Sequence, residues 1–253
     1  MLRRLGKKTK LAPKIISYFP EHSCYIELFF GAGGLFFNKP RAQYNFMNDI
    51  DNDVYNLFMV LKNSPDELYD KMEMTPTHSA IFKNWKTEQE VEPVWQAVRF
   101  LYLSNFSFNG AGHTLNFYLQ NDKREVLKKI KTSLKKITEV QFFNYDFREC
   151  LNKIMYHRES EKSKTFIYAD PPYLGTGNNY SQGFTESDSI DLFNVLCNSG
   201  IRFAMSEFNN PFIIQQAKER NLNIIEIGER KTLKSRQTEI LITNYEINQG
   251  VLF

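Results

Sequence analysis

The sequence predicts an α/β fold: a mostly parallel sheet of seven strands, interrupted by a helical insert. Three observations carry this. Seven short apolar runs recur along the 253 residues, at 25–30, 44–48, 140–144, 165–169, 201–205, 222–227 and 239–247. Most are nearly continuous rather than alternating, as in strands covered on both faces. Helical periodicity separates several of them, and strands alternating with helices favour parallel pairing. The rhythm breaks over about 56–138, where only helical patterns occur.

Taken in order, the run YIELFF at 25–30 is a buried strand that leads straight into Gly31, Gly33 and Gly34. After the second strand, 51–61 places Val54, Leu57, Phe58 and Leu61 on one helical stripe. The stretch 65–90 is helical without clear boundaries, and a helix follows over about 93–103. A Gly/Asn/Ser-rich loop with aromatics, 104–117, leads to the helix 123–137. That helix carries Leu127, Ile130, Leu134 and Ile137 on one face and lysines on the other. Asp146 is placed to cap a helix over 147–154, and further helical patterns cover 187–196 and 211–219. The expected division is therefore a core domain from 1–55 and 138–253, with an insert at 56–137.

Composition narrows the class. Hydrophobic residues are 42% and charged residues 24%, which excludes wholesale disorder. No apolar run approaches the ~18 residues of a membrane span. The basic N-terminus has no apolar core behind it, unlike a secretory signal. Cys24, Cys150 and Cys197 lie far apart, as reduced thiols of a cytoplasmic protein would. The four histidines fit no metal-ligand spacing, so no metal is expected. Net charge is only +3, but residues 1–14 hold six Lys/Arg and residues 121–136 hold seven. Such clusters suit a phosphate-tracking surface, or equally a tail and a solvated helix face.

Two motifs carry chemistry. Glycines at a strand-to-helix turn let backbone approach a ligand, and Asp49, 18 residues after Gly31 at the end of the next strand, could accept hydrogen bonds from ribose hydroxyls. Together they favour a nucleoside cofactor without separating NAD from S-adenosylmethionine. Asp170-Pro171-Pro172-Tyr173 follows the strand TFIYA. Pro-Pro could simply end a strand. An acid and a proline carbonyl can, however, accept both hydrogens of an exocyclic NH₂, the prolines hold the backbone extended, and the aromatic ring offers a stacking surface.

With these motifs the chain resembles the Dam-like, D12-class DNA adenine-N6 methyltransferases over nearly its whole length. Gly6-Lys7-Lys8-Thr9-Lys10-Leu11 is similar to the family's N-terminal cofactor motif, with Arg4 where an aromatic is usual. Phe29-Phe30-Gly31-Ala32-Gly33 resembles the segment around the methionine end of S-adenosylmethionine, and Asn48-Asp49-Ile50-Asp51 the ribose-binding strand end. Phe108-Asn109-Gly110 is similar to a DNA-touching loop, and Asn144-Tyr145-Asp146-Phe147 to the segment beside the cofactor adenine. Phe184-Thr185, Ser206 and residues 239–245 resemble C-terminal landmarks.

The resemblance implies a Rossmann-like S-adenosylmethionine-dependent methyltransferase fold with a reversed final hairpin. It implies Asp170, Pro171, Pro172 and Tyr173 as catalytic, and Arg4, Lys8, Phe29, Gly31, Gly33, Asp49, Asp146, Phe147 and Asp170 as cofactor-binding. Phe108, Asn109, Gly110, His113, Lys128, Lys131 and Lys135 are expected to meet double-stranded DNA. His113 stands where relatives that read GATC carry a guanine-reading arginine, and its shorter side chain cannot form the bidentate fork, so another target is expected. A cognate restriction endonuclease is a further expected partner. N4-cytosine methylation, an RNA or protein substrate, and a non-catalytic DNA-binding relic are the alternatives.

Overall fold

The computed structural model describes residues 2, 8–107, 123–156, 158–174, 183–231 and 236–247. Its centre is a seven-stranded sheet: β1 (Cys24–Glu27), β2 (Tyr44–Asn48), β3 (Gln141–Phe143), β4 (Thr165–Ala169), β5 (Arg202–Phe208), β6 (Asn223–Lys231) and β7 (Arg236–Thr243). The strand order is β3-β2-β1-β4-β5-β7-β6. β7 runs antiparallel to both its neighbours, and the other described pairs are parallel. Each expected run became a strand, and the reversed final hairpin is present.

The apolar runs are continuous because each strand serves two cores. Tyr25 of β1 and Phe166 and Tyr168 of β4 face one apolar cluster, while Ile26, Ile167 and Ala169 face the other. The first cluster is covered by α1 (Ala12–Ser17) and by the helices between β2 and β3: α2 (Asn52–Asn63), α3 (Pro65–Met74), α4 (Ser79–Thr87), α5 (Pro93–Phe106) and α6 (Lys123–Ile137). The second is covered by α7 (Phe147–Cys150), α9 (Glu186–Asn198) and α10 (Pro211–Glu219); α8 (Glu159–Ser163) precedes β4.

Local chemistry sets these ends. Asp51 caps α2 by accepting the Asp53 N–H at 2.9 Å, Glu92 accepts from Val94 and Trp95 ahead of Pro93, and Thr185 and Asp188 form a capping box on α9. The ambiguous stretch 65–90 resolves into α3 and α4. The helix expected over 147–154 stays α-helical only to Cys150 and tightens into a 3₁₀ turn, Leu151–Lys153. β5 runs three residues past the expected end, carrying Ser206, Glu207 and Phe208, because β7 pairs with it there.

The first cluster also bears on the expected insert. It joins Tyr25 and Tyr168 of the sheet to Leu57, Phe58, Trp85, Tyr102 and Ile130 of the helices without a break. The expected boundary at 55/56 falls inside α2. Phe106 is buried and packs edge-on against Tyr102 at 4.9 Å, within this cluster.

Candidate active site

β1 and β4 are neighbours whose following segments depart to opposite sides, so the crevice above their carboxyl ends is the sheet's topological switch point. Ligands of open α/β sheets bind at such points. Both motifs empty into it. A cleft of about 850 Å³ opens there, lined by the glycine turn, the end of β2, the start of α7 and the Asp170 turn.

Its floor is stitched together by Asn48 and Asp49. Asn48 donates to the carbonyls of Leu28 (3.1 Å) and Tyr145 (2.9 Å) and accepts from the Tyr145 N–H (3.0 Å). Asp49 accepts the Gly31 N–H at 2.6 Å and the Asp51 N–H at 2.9 Å. The expected ribose acid is thus also a brace for the glycine turn. The two glycines do different work. Gly31 (φ +50°) lines the cleft, and a Cβ there would meet nothing within 4 Å. Gly33 (φ +67°) faces inward, where a Cβ would lie 2.6 Å from Phe37. Its part is to make the turn, not to line the cleft.

One side wall is aromatic. Phe29, Phe147 and Phe184 stand within 5.5–6.0 Å of one another. Asp146 caps α7 by accepting from the Arg148 N–H at 2.8 Å, so its two expected roles, cap and cleft wall, coincide. Sequence reasoning passed over Ile50 and Arg148. Ile50 is 54% exposed at the cleft edge beside Asp49, an apolar platform whose signal was its place directly after the strand-end acid. Arg148 bonds Asp191 at 2.8 Å and Asp188 at 2.5 Å while also reaching Asp146 at 3.2 Å, and so ties the α7 turn to the start of α9. Arg148→Ala is expected to raise the KM for the cofactor that the resemblance implies roughly five- to tenfold, about 1 to 1.4 kcal/mol, with kcat within about twofold. Steady-state kinetics with that cofactor varied would check this; an unchanged KM would leave Arg148 a brace between α7 and α9 alone.

Across the cleft, the Asp170 carboxylate meets Lys8 Nζ at 2.9 Å, and Lys8 also stands 4.4 Å from the Tyr173 ring centroid and 3.9 Å from Glu239. Lys8, expected at the cofactor, therefore lies against the Asp170–Tyr173 motif. It is only 5% exposed, a cation kept in the interior by acid and ring. Within the motif, Asp170 and Pro172 line the cleft, while Pro171 and Tyr173 are buried. Tyr173 packs edge-on against Phe208 at 4.5 Å. Behind Asp170 lie more buried carboxyls. Burial first, and Asp170 in addition, raise Glu27 to about 8, though Tyr25 donates to it at 3.0 Å. Glu207 is likewise raised, to about 9. Asp170 thus pairs with Lys8 beside two buried acids, Glu27 and Glu207, whose burial favours their neutral form.

The lining has a clear charge preference. Asp49, Asp51, Asp53, Asp146, Asp170 and Asp188 border the cleft, and the two cations among its described lining residues, Lys8 and Arg148, are each already paired with acids. The glycine turn runs into a three-residue 3₁₀ turn, Phe36–Asn38, and not into the helix whose N-terminus would take a pyrophosphate. The described lining favours a nucleoside bearing positive charge over a pyrophosphate, with Gly31 open to close approach and Ile50 and Phe147 as apolar surfaces.

A family model for the D12 class of N6 adenine-specific DNA methyltransferases matches residues 5–233. The chain belongs to this family. Adenine N6 in DNA is therefore its methyl acceptor, and membership implies S-adenosylmethionine as the donor. Type II methyltransferase M1.LlaDCHI of Lactococcus lactis subsp. cremoris is 23% identical, with 95% of this chain and 93% of that protein aligned. Modification methylase StsI of Streptococcus sanguinis is 25% identical over 97% of this chain, which spans only 42% of that longer protein. The DNA adenine methylase of Escherichia coli K12 is 25% identical, covering 75% of this D12-class chain and 71% of its own length. A solved rRNA methyltransferase, AviRa of Streptomyces viridochromogenes, superposes with a TM-score of 0.41 at 9% identity over 93% of this chain and 82% of that one, too loosely to inform the site.

Arg4, Phe108, Asn109, Gly110, His113 and the 175–182 part of the loop after Tyr173 lie outside the described residues. Lys128, Lys131 and Lys135 are exposed on α6, with Lys131 Nζ 4.1 Å from the Tyr69 ring centroid. Two other basic residues of this helix hold backbone carbonyls: Lys123 bonds that of Thr75 at 2.7 Å, and Lys136, itself exposed, that of Phe37 at 2.6 Å. Among the described residues no three His, Cys, Asp or Glu group to hold a metal, and no helix is long and apolar enough to cross a membrane.

Proposed function

We propose that the cleft binds S-adenosylmethionine between the glycine turn and Phe147, and that Asp170 receives the N6 amine of an adenine flipped out of double-stranded DNA. One observation carries this: Asp170 opens into the same switch-point cleft as Gly31 and Asp49, so donor and acceptor converge on one space. S-adenosylmethionine, when bound, supplies a methyl group on a cationic sulfur. Asp49 and Ile50 would hold its ribose and adenine, and Gly31 would let its amino-acid end approach.

The chain's own work is positional and electrostatic. The base leaves the stack because its N6 is otherwise beyond reach. Asp170 and the Pro171 carbonyl accept the two N6 hydrogens and turn the nitrogen lone pair toward the methyl group. The charge of Asp170 stabilises the positive charge that develops on N6. It need not be a strong base, since that nitrogen becomes acidic only once methylated and would then release its surplus proton by way of the Asp170 carboxylate to solvent. A base stacked on Tyr173 takes the place at the ring now held by the Lys8 ammonium.

The exposed lysines of α6 would bind phosphates, with 56–137 as the target-reading part. Changing Lys128, Lys131 and Lys135 together to Gln is expected to lower the slope of log affinity against log salt by about two to three, read by fluorescence anisotropy on a DNA duplex. An unchanged slope would take DNA off this face. Histidine at position 113 supports a target other than GATC. The fuller alignment with M1.LlaDCHI and StsI than with the E. coli enzyme supports a modification role beside a cognate endonuclease. Methyl transfer to unmethylated genomic DNA, followed by single-molecule sequencing, tests the whole reading. N6-methyladenine in one repeated context other than GATC is expected; GATC would return guanine reading to another residue, and methylated cytosine would overturn the role given to Asp170.

A further inference from the structure

Glu207 lies in β5 beyond the apolar run that marks that strand, and no motif covers it. It is only 2% exposed. Its Oε1 accepts the backbone N–H of Leu174 at 2.8 Å, the first residue after Tyr173. Oε2 is buried with no hydrogen-bond partner among the described residues. We propose that Glu207 is a positioning residue for methyl transfer, holding the Asp170–Leu174 turn from β5 so that the acid and the ring keep their places.

The geometry explains why a side chain is needed there. Pro171 and Pro172 bring no N–H to bind the turn to its surroundings, so the turn must be held from the residues after them, and the Leu174 N–H is the one that Glu207 takes. β5 is hydrogen-bonded to β4 along Phe166–Ala169, and Glu207 extends that contact beyond the ladder's end. Burial raises Glu207 to about 9, and the groups facing it work in opposite senses: Asp170 across the turn raises it, while Lys8 from the N-terminal segment and its own hydrogen bonds lower it. Glu207 acts in turn on Tyr173, as does Glu239 of β7, which is paired opposite the next residue, Phe208. A neutral carboxyl still accepts from Leu174, adds no second negative charge beside Asp170, and leaves no bare buried carboxylate oxygen.

The inference rests on Asp170 as the amine acceptor, which Asp170→Asn tests by itself. Glu207→Gln keeps a neutral acceptor of the same shape, and Glu207→Ala removes it. Glu207→Ala is expected to lower kcat at least tenfold, with donor affinity by calorimetry within about twofold of wild type. Glu207→Gln restores most of that kcat. The wild type should lose kcat as pH rises through about 9, when Glu207 ionises beside Asp170, whereas Glu207→Gln should lack that limb.

Stability gives a readout that does not depend on activity. Between the unfolded value of 4.5 and the folded value of about 9, the folded chain keeps a proton that the unfolded chain has released. Rising pH therefore favours unfolding, and the melting-temperature gap between Glu207→Gln and wild type widens from pH 5 to pH 9. A merely structural residue would move the melting temperature of Glu207→Ala but not separate the kcat–pH profiles. Coincident alkaline limbs in wild type and Glu207→Gln would overturn the proposal, as would wild-type kcat in Glu207→Ala. If Glu207→Ala fails to fold, the paired pH profiles of wild type and Glu207→Gln decide.

Discussion

Asp170→Asn should lower kcat by on the order of a thousandfold while the chain stays folded and binds the methyl donor. The substitution keeps the shape of the side chain at the end of β4. It removes the charge that faces the amine and puts an NH₂ where an acceptor oxygen stood, so one of the two N6 hydrogens meets a donor. Lys8 loses its 2.9 Å partner and is left with Glu239 at 3.9 Å and the Tyr173 ring. Some stability is therefore lost, and this is why asparagine is a cleaner probe than alanine, which would leave space beside a buried cation. Single-turnover transfer of labelled methyl, with circular dichroism and donor calorimetry on the same protein, separates the effects. Transfer within tenfold of wild type would remove Asp170 from the chemistry.

The largest effect on stability should come from Gly33→Ala. At φ +67° an L-residue is strained by about 1–2 kcal/mol. The new methyl would also press on the rings of Phe37 at 2.6 Å and Phe30 at 2.8 Å, inside the aromatic packing that joins the glycine turn to Phe58. Overpacking of this kind adds roughly 1–3 kcal/mol. A total near 3 kcal/mol corresponds to a melting temperature lower by roughly 6–12 °C in a chain of this size. Gly31→Ala is the control. Its Cβ has open space, so its melting temperature falls less, while its donor affinity falls more because the methyl projects into the cleft. Equal melting temperatures for the two variants would mean that the Phe30–Phe37 packing yields freely.

The strands were legible because both-face burial writes itself as unbroken apolar runs, and the glycine turn and Asp170 motif were legible because backbone reach and paired acceptors demand particular residue types. What stayed hidden depends on contacts between distant segments. Lys8 reads as one lysine among several, and only the fold brings it from the N-terminus to Asp170. Arg148 looks like a solvated charge until α9 delivers Asp188 and Asp191. Glu207 lies past the end of an apolar run and carries no sign of burial, although β7 extends that strand and buries it. The lysines of α6 share one compositional signature, yet Lys123 and Lys136 face backbone carbonyls while Lys128 and Lys135 face outward, a difference set by packing against α3 and the Phe37 segment.

The unbroken apolar cluster has a consequence for how recognition can change in evolution. Phe58 of α2 lies nearly parallel to Phe142 at 5.3 Å and touches Phe30 at 4.8 Å, while Lys136 of α6 grips the Phe37 carbonyl. Recombination that exchanged these helices between relatives as a cassette would tear this seam unless residues 30–37 and 142 travelled with it. On the proposed reading, point substitutions that leave the seam closed change recognition more readily than trading whole segments does, and those on the outer face of α6 alter the grip on phosphates and not the bases read.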